Sequence, residues 1–397
     1  MIRVRTCGRT PPRCSSPCTR GRTPRRRASP GRWRGTRPSA CTPTYSATKA
    51  ALHSFSQSLR IQLAGANAGV QVIEVVPAGV RTTLMGQQDS EQAMPLDEFL
   101  TEALALLASG LNSLDPEPAG VASRIVGAMI EAGHDPQPAR AAMLGALQTT
   151  LPLCASMVDE ARAEVGEPDP ALDLNDDAID EWLADQHAHA LNEVAGRRPS
   201  ALEAWQRLHE IWPGAIALLS VDPAARAEAA ELAPVAERIE EVHEAGGWLR
   251  AMLTVLDEEP YVAIEPATRT GIVGRMSGIV ENFQLNTLLM DEFPRDEPRV
   301  SKEAVAVARG SGPQQIDETV TGVWNLYTYA ALRPGGELPD ATDRDYADTW
   351  IWNEGMPADV PVVDGHRVIL LGPAEPTRSW PAQRMFLRLP ARLTAEL

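Results

Sequence analysis

Lysine is almost absent from this 397-residue chain: Lys49 and Lys302 are the only two among 37 basic residues, and the rest are arginine. No acidic residue precedes Glu74. Cysteine is scarce beyond the first 41 positions, where only Cys154 occurs, so a disulfide framework is excluded for the body of the chain. Cys14 and Cys18 have no second Cys or His pair at zinc-finger distance. Aromatic residues are thin at 5%. Neither an uninterrupted apolar run long enough to span a bilayer nor a signal-peptide core is found, and the expectation is a cytoplasmic protein without a membrane partner.

What is present is ordinary in bulk, with 44% hydrophobic and 23% charged residues, and the length suits two or three domains. Charge is not evenly spread. Residues 1–44 hold twelve arginines and no acid, so removing their +12 from the total of -16 leaves -28 on the remainder. Three readings of this head stand side by side. Clustered Arg25, Arg26 and Arg27 suit a phosphate-binding arm, although nucleic acid is not the expected partner. A stretch of Arg, Pro, Ser, Thr and Gly also suits a solvated, disordered tail. Finally, Arg, Pro, Gly, Ser, Ala and Cys are what GC-rich coding DNA yields out of frame, which would make residues 1–42 a frameshift artefact.

Near Thr42 the pattern changes. Pro43-Thr44-Tyr45-Ser46-Ala47-Thr48-Lys49 opens an amphipathic helix on which Leu52, Phe55, Leu59 and Leu63 recur at three- and four-residue steps. Tyr45 and Lys49 are four apart and fall on one helix face. A phenol exchanges protons poorly at neutral pH, and a neighbouring ammonium favours its phenolate, so such a pair can protonate a carbonyl oxygen or deprotonate an alcohol. Residues 70–76, Val-Gln-Val-Ile-Glu-Val-Val, predict a buried parallel strand, and a turn follows at Pro77-Ala78-Gly79 before Val80-Arg81-Thr82.

This order of Tyr-x-x-x-Lys, helix, strand, Pro-Gly turn and Thr resembles the classical short-chain dehydrogenase/reductase family over residues 43 to about 107. The stretch Ala93-Met94-Pro95-Leu96-Asp97-Glu98-Phe99 is most similar to a branch related to D-alanine-operon dehydrogenases. The resemblance implies Tyr45 as general acid/base, Lys49 as its partner and ribose ligand, and Pro77, Ala78, Gly79, Val80 and Thr82 at the nicotinamide end of NAD or NADP. It also implies a small carbonyl or alcohol as substrate and an α/β remnant of a Rossmann-like doubly wound sheet; the pattern of the remaining chain adds a mainly α domain and a C-terminal α+β piece. Parts of the family pattern are missing from residues 1–44. No glycine-rich strand-to-helix turn offers N–H groups to a pyrophosphate, no Asn-Asn-Ala-Gly-like segment appears, and the family's serine falls at Arg32, with Ser29 out of register. The expectation is therefore a truncated, inactive oxidoreductase whose open sheet a second copy or a protein partner covers. The alternative is a non-catalytic binding or scaffold protein dominated by its acidic C-terminal region.

Beyond the resemblance, the domains expected are 43–135, helical 136–256 and α+β 257–397. Helices are predicted near 119–132, 139–165, 176–195, 199–220 and 224–256, with Ser200 and Asp222-Pro223 as starts. His187 and His189 lie two apart on a helix and diverge, so they do not share a metal, and His209 and His243 read as single residues on helices. Tyr261–Ile264 predicts a strand near Gly271, Gly274 and Gly278, whose spacing suits close packing as well as a ligand. Gly310-Ser311-Gly312-Pro313 is a loop. Residues 360–372 predict a hairpin turning at Asp364-Gly365. Trp324, Trp350, Trp352 and Trp380 suit a core, or else a cleft with Trp350 as a wall and Glu354 or Asp359 as acid/base.

Overall fold

A helix is expected wherever apolar side chains recur on one face, and in the computed structural model the first such segment, α1 (Pro43–Gly65), is helical throughout. The structure describes residues 43–66, 72, 80–83, 88–91, 93–112, 115–165, 176–293, 299–340, 342–343, 346–351 and 355–396. The chain divides into two units between Thr101 and Glu102. In the first, hydroxyls on α1 fold back onto the preceding turn, Thr48 onto the Thr44 carbonyl and Ser56 onto the Leu52 carbonyl, each at 3.0 Å. The apolar stripe is only half covered: Leu59 and Leu63 are half-buried, whereas Leu52 is 52% and Phe55 63% exposed. Except for Val72, the strand expected over 70–76 lies outside the described residues, as does the turn at Pro77–Gly79. Val80 and Met94 form an isolated parallel bridge, and the Arg81 N–H donates to the Met94 carbonyl at 2.8 Å. Arg81 Nε donates to the Ser90 and Ala93 carbonyls, both at 3.0 Å, which closes the intervening loop. Helix α2 (Leu96–Ala108) then starts with Asp97 and Glu98 in its first turn, where carboxylates suit the helix dipole.

In the second unit, Pro116 sits at the first position of α3 (Pro116–Glu131), and the Asp115 carboxylate caps it by accepting from the Glu117 N–H. Long apolar helices follow: α4 (Gln137–Glu164), α5 (Asp176–Arg197) and α6 (Pro199–Val221). Ser200 does not start α6. Pro199 takes the first helical position, which its fixed φ and missing N–H favour, and Arg198 precedes it without a side-chain cap. Asp222 does cap the next helix, α7 (Pro223–Ala229), by accepting from the Ala225 N–H at 3.1 Å. The single helix expected over 224–256 is instead broken into α7, a tighter turn at Ala230–Leu232, α8 (Ala233–Glu237) and α9 (Glu244–Leu253). Pro234 falls in the first turn of α8, where its missing N–H goes unused, and the His243 cap marks the separate start of α9. By length and composition α4 is apolar enough to cross a bilayer, a span that the search for uninterrupted runs passed over. Its Met143, Leu144, Leu147, Leu151 and Met157 are instead buried, packed in the protein's own core. Each such side chain contributes roughly 1.5–3 kcal/mol of transfer free energy.

The tightest contact in this bundle is between α3 and α6. Gly127 faces Gly214, and a Cβ on Gly214 would lie 2.4 Å from Ser123 Oγ and 2.5 Å from its carbonyl. Ser123 is fully buried, and its hydroxyl donates across the crossing to the Ile211 carbonyl at 2.8 Å.

After the bundle the chain becomes α+β in character. Strands β1 (Glu259–Glu265) and β2 (Thr270–Ser277) form a hairpin, α10 (Asn282–Glu292) and α11 (Lys302–Ala308) follow, and then come β3 (Gln315–Thr321), β4 (Trp324–Thr328), β5 (Trp350–Ile351), β6 (Val362–Val363), β7 (His366–Pro373), β8 (Ser379–Gln383) and β9 (Arg392–Glu396). The main sheet runs β5-β4-β7-β1-β2-β9 with β6 beside β7, and β3 pairs β8 separately. It is mixed: β1 and β7 are parallel, while its other pairs are antiparallel. The hairpin expected at Asp364-Gly365 is the β6–β7 turn, with both residues at positive φ (48° and 80°), the geometry that matches the twist of the flanking strands. Gly274 is explained by strand packing, since a Cβ there would fall 1.7 Å from the Thr394 carbonyl oxygen of the neighbouring β9. The Gly310 loop caps α11, its Ser311 and Gly312 N–H groups donating to the Ala306 carbonyl.

Because the α3–α6 crossing leaves no room for one methyl group, Gly214→Ala is expected to destabilise the protein by about 1–3 kcal/mol. Thermal or denaturant unfolding of the full chain measures it, and an unchanged midpoint would refute the constraint.

Candidate functional site

Lys49 follows Tyr45 by four residues on α1, which is helical across both, so their Cα atoms are about 6 Å, just over one turn, apart along the axis. Of the seven residues singled out from the sequence, Lys49, Val80 and Thr82 have described side chains, and each is half-buried. Val80 is fixed by its bridge to Met94, and Thr82 follows Arg81, whose guanidinium ties the loop. The side chain of Tyr45 and the whole of Pro77, Ala78 and Gly79 lie outside the described residues.

The second unit carries a cleft that the sequence reading missed. Pro116 and Glu117 of α3, Trp205, Gln206, His209 and Glu210 of α6, and Val242, His243 and Glu244 at the start of α9 enclose about 530 Å³. His243 is not a residue within a helix, as the sequence suggested, but the cap of α9: its Nδ1 accepts from the Ala245 N–H at 3.0 Å. Its Nε2 faces the Trp205 carbonyl at 3.4 Å, and its ring meets the Trp205 ring edge-on at 4.5 Å. The His209 ring is 6.3 Å away. His243 is 95% buried by surface area, its 5% exposure leaving almost no water contact, and burial holds its pKa below the ordinary imidazole value. His209 pushes it further down, while the Trp205 carbonyl and Glu244 pull it up. Thirty-four positions separate His209 from His243, so no spacing announces the pair; only the Glu-Ala-Gly-Gly following His243 hinted at a helix start.

His187 is half-buried and His189 exposed on α5, and among the described residues no three His, Cys, Asp or Glu side chains group to hold a metal. Among the described residues the tryptophans follow the core reading and not the cleft reading. Trp324, Trp350 and Trp380 are core residues; Trp324 Nε1 donates to Glu265 at 2.8 Å and Trp380 Nε1 to Thr287 at 3.1 Å. Asp359 pairs with Arg250 at 3.1 Å, and Trp352 and Glu354 lie outside the described residues. At the start of α10 the Glu281 carboxyl is half-buried, and desolvation pushes its pKa up to about 7.

Residues 33–93 match the family model of short chain dehydrogenase. The match is confined to well under half of the chain, begins ten positions before the resemblance read at Pro43, and includes Tyr45, Lys49 and the stretch from Pro77 to Thr82. No curated protein and no solved structure matches the chain. That family uses NAD or NADP, but the described residues do not by themselves complete a dinucleotide site. Lys49, Val80 and Thr82 are the only expected contacts among the described side chains, no glycine-rich turn stands in residues 1–44, and the cleft between α3, α6 and α9 is lined by none of them.

Glu281 yields a pH prediction with a definite sign. Its pKa rises from 4.5 unfolded to about 7 folded, so the folded state holds the proton more tightly, and stability is full below about 4.5 and lost as pH rises toward 7. Glu281→Gln is expected to remove that loss and stabilise the protein at pH 8 by roughly 1–3 kcal/mol. Denaturant melts of both proteins at pH 5 and pH 8 check it, and equal pH slopes would refute it.

Proposed function

We propose that residues 43 to about 107 descend from an NAD(P)-dependent short-chain oxidoreductase acting on a carbonyl or secondary alcohol, within the branch related to D-alanine-operon dehydrogenases. The observation that carries this reading is the family match over 33–93 with Tyr45 and Lys49 set one helical turn apart inside it. In this reading the Tyr45 phenol is the proton donor to a carbonyl oxygen or the acceptor from an alcohol, and the Lys49 ammonium lowers the cost of its phenolate. When bound, the nicotinamide supplies the hydride. Val80 and Thr82, beside the Arg81-tied loop, border the nicotinamide end.

Proton transfer alone does not reduce a carbonyl. With no pyrophosphate cradle in residues 1–44 and no serine in register to orient the substrate oxygen, these 397 residues retain the proton-handling half of the reaction and do not turn over.

Titrating NADH and NADPH into the full chain is expected to give no saturation below about 1 mM, a Kd limit corresponding to roughly -4 kcal/mol. Micromolar binding overturns the claim of inactivity. If hydride transfer to any carbonyl is detected, Tyr45→Phe is expected to lower it by about 10²–10⁴, the usual contribution of a positioned acid/base. Hydride transfer indifferent to that substitution would overturn the assigned descent.

A further inference from the structure

We propose that the junction of α6 and α9 is a proton-operated latch, in which neutral His243 ties the start of α9 to α6 and its protonation releases that end of the helix. The geometry leaves the ring one state in which both nitrogens are satisfied. Nδ1 must carry a lone pair to accept from the Ala245 N–H at 3.0 Å, so the ring proton sits on Nε2, directed at the Trp205 carbonyl. A second proton, on Nδ1, places N–H against N–H. The cap is then lost, a positive charge appears in a site only 5% exposed, and Ala245 is left without an acceptor at a position that is itself fully buried.

The charged groups around the ring decide how the latch responds. On α6, His209 stands 6.3 Å from it and opposes its charge, and the neighbouring Glu210 is engaged by Arg124 of α3 at 2.5 Å. On α9 itself, Glu244 favours the charge, and Glu117 of α3 completes the acidic rim of the cleft. The carboxylates of the segment leading into α9 are turned elsewhere: Glu237 and Glu240 hold Arg250, and Glu241 holds Arg162. The exposed His209 ring adds its repulsion to the burial that already opposes a charge on His243. Release relieves both, because the freed imidazole reaches water. The cleft of about 530 Å³ between α3, α6 and α9 is thereby enlarged on the acidic side.

Amide hydrogen exchange of the full chain, corrected for the intrinsic pH dependence of exchange, tests the latch. From pH 7.5 to 5.5 the amides of residues 245–249 are expected to lose about tenfold in protection relative to those of α4, the size of a lost helix cap. His243→Asn keeps a capping oxygen that does not titrate, and is expected to abolish the differential while holding protection at its pH 7.5 level. His209→Gln, which leaves every bond of His243 in place and removes the repulsion from that ring, is expected to move the transition to higher pH without abolishing it, and a shift to lower pH would count against the latch. An unchanged pH response in His243→Asn, or no loss of protection in the unsubstituted protein, overturns the proposal. Should His243→Asn not fold, the imidazole resonances of His243 decide: a ring titrating in step with the exchange transition supports the latch, and one that titrates without it refutes the latch.

Discussion

At the crossing of α3 and α6 two helix backbones lie in contact because Gly127 meets Gly214, and the Ser123 hydroxyl spans the gap to the Ile211 carbonyl. Side chains of ordinary size would hold the axes at the usual 8–10 Å or so. The close approach fixes α6, and α4, α5 and α9 pack on what α6 then presents. The N-terminal half of α6 is pinned as well: the buried guanidinium of Arg207 donates to the Leu111 carbonyl just beyond α2. Trp205 and His209 sit one turn apart on this fixed helix, so the cleft they line with His243 follows from the glycine pair some residues away.

Polar contacts then join the bundle to the sheet, one through the buried Arg226 and one at the surface through Arg250. Arg226 of α7 bonds Asp257, just before β1, at 2.7 Å and also donates to the Leu219 carbonyl at the end of α6. Arg250 of α9 reaches Asp359 ahead of β6. In the sheet region Gln284 accepts from the Val280 N–H and donates to the Ala308 carbonyl, while Asn286 donates to the Trp324 carbonyl; both residues are buried. Each such bond adds only about 0.5–1.5 kcal/mol net, but an unmade one at these positions costs more, so the network specifies the arrangement more than it drives it.

Helix ends are legible in the sequence where proline marks them. Pro116 and Pro223 each open a helix after an aspartate cap, and the helices read over 139–165 and 199–220 match α4 and α6 within two residues. The Asp364-Gly365 turn is legible because few residue pairs take positive φ twice in succession. The sheet order is not legible: β1 pairs with β7 across a hundred residues, and nothing local in Tyr-Val-Ala-Ile names its partner. The His243 site is hidden for the same reason, since a cap is set by a backbone bend and a neighbour by a fold. At α1 the reverse holds: rarity makes Lys49 conspicuous, but the exposure of Leu52 and Phe55 cannot be read from their spacing.

The near absence of lysine has a structural side. Arginine is the residue that reaches backbone carbonyls throughout this chain: Arg81 takes those of Ser90 and Ala93, Arg162 that of Arg238, Arg367 those of Ala358 and Val360, and Arg384 that of Leu387. A planar fork of five donors can close a loop and still meet a carboxylate, as Arg226 does, whereas an ammonium is a compact, strongly hydrated point charge. A protein that uses guanidinium so widely for holding structure gains little from lysine except where a point charge on a flexible stem is wanted. In the reading proposed above, Lys49, half-buried one turn after a tyrosine, occupies such a place: a guanidinium there would spread its charge over three nitrogens and do less to favour a phenolate.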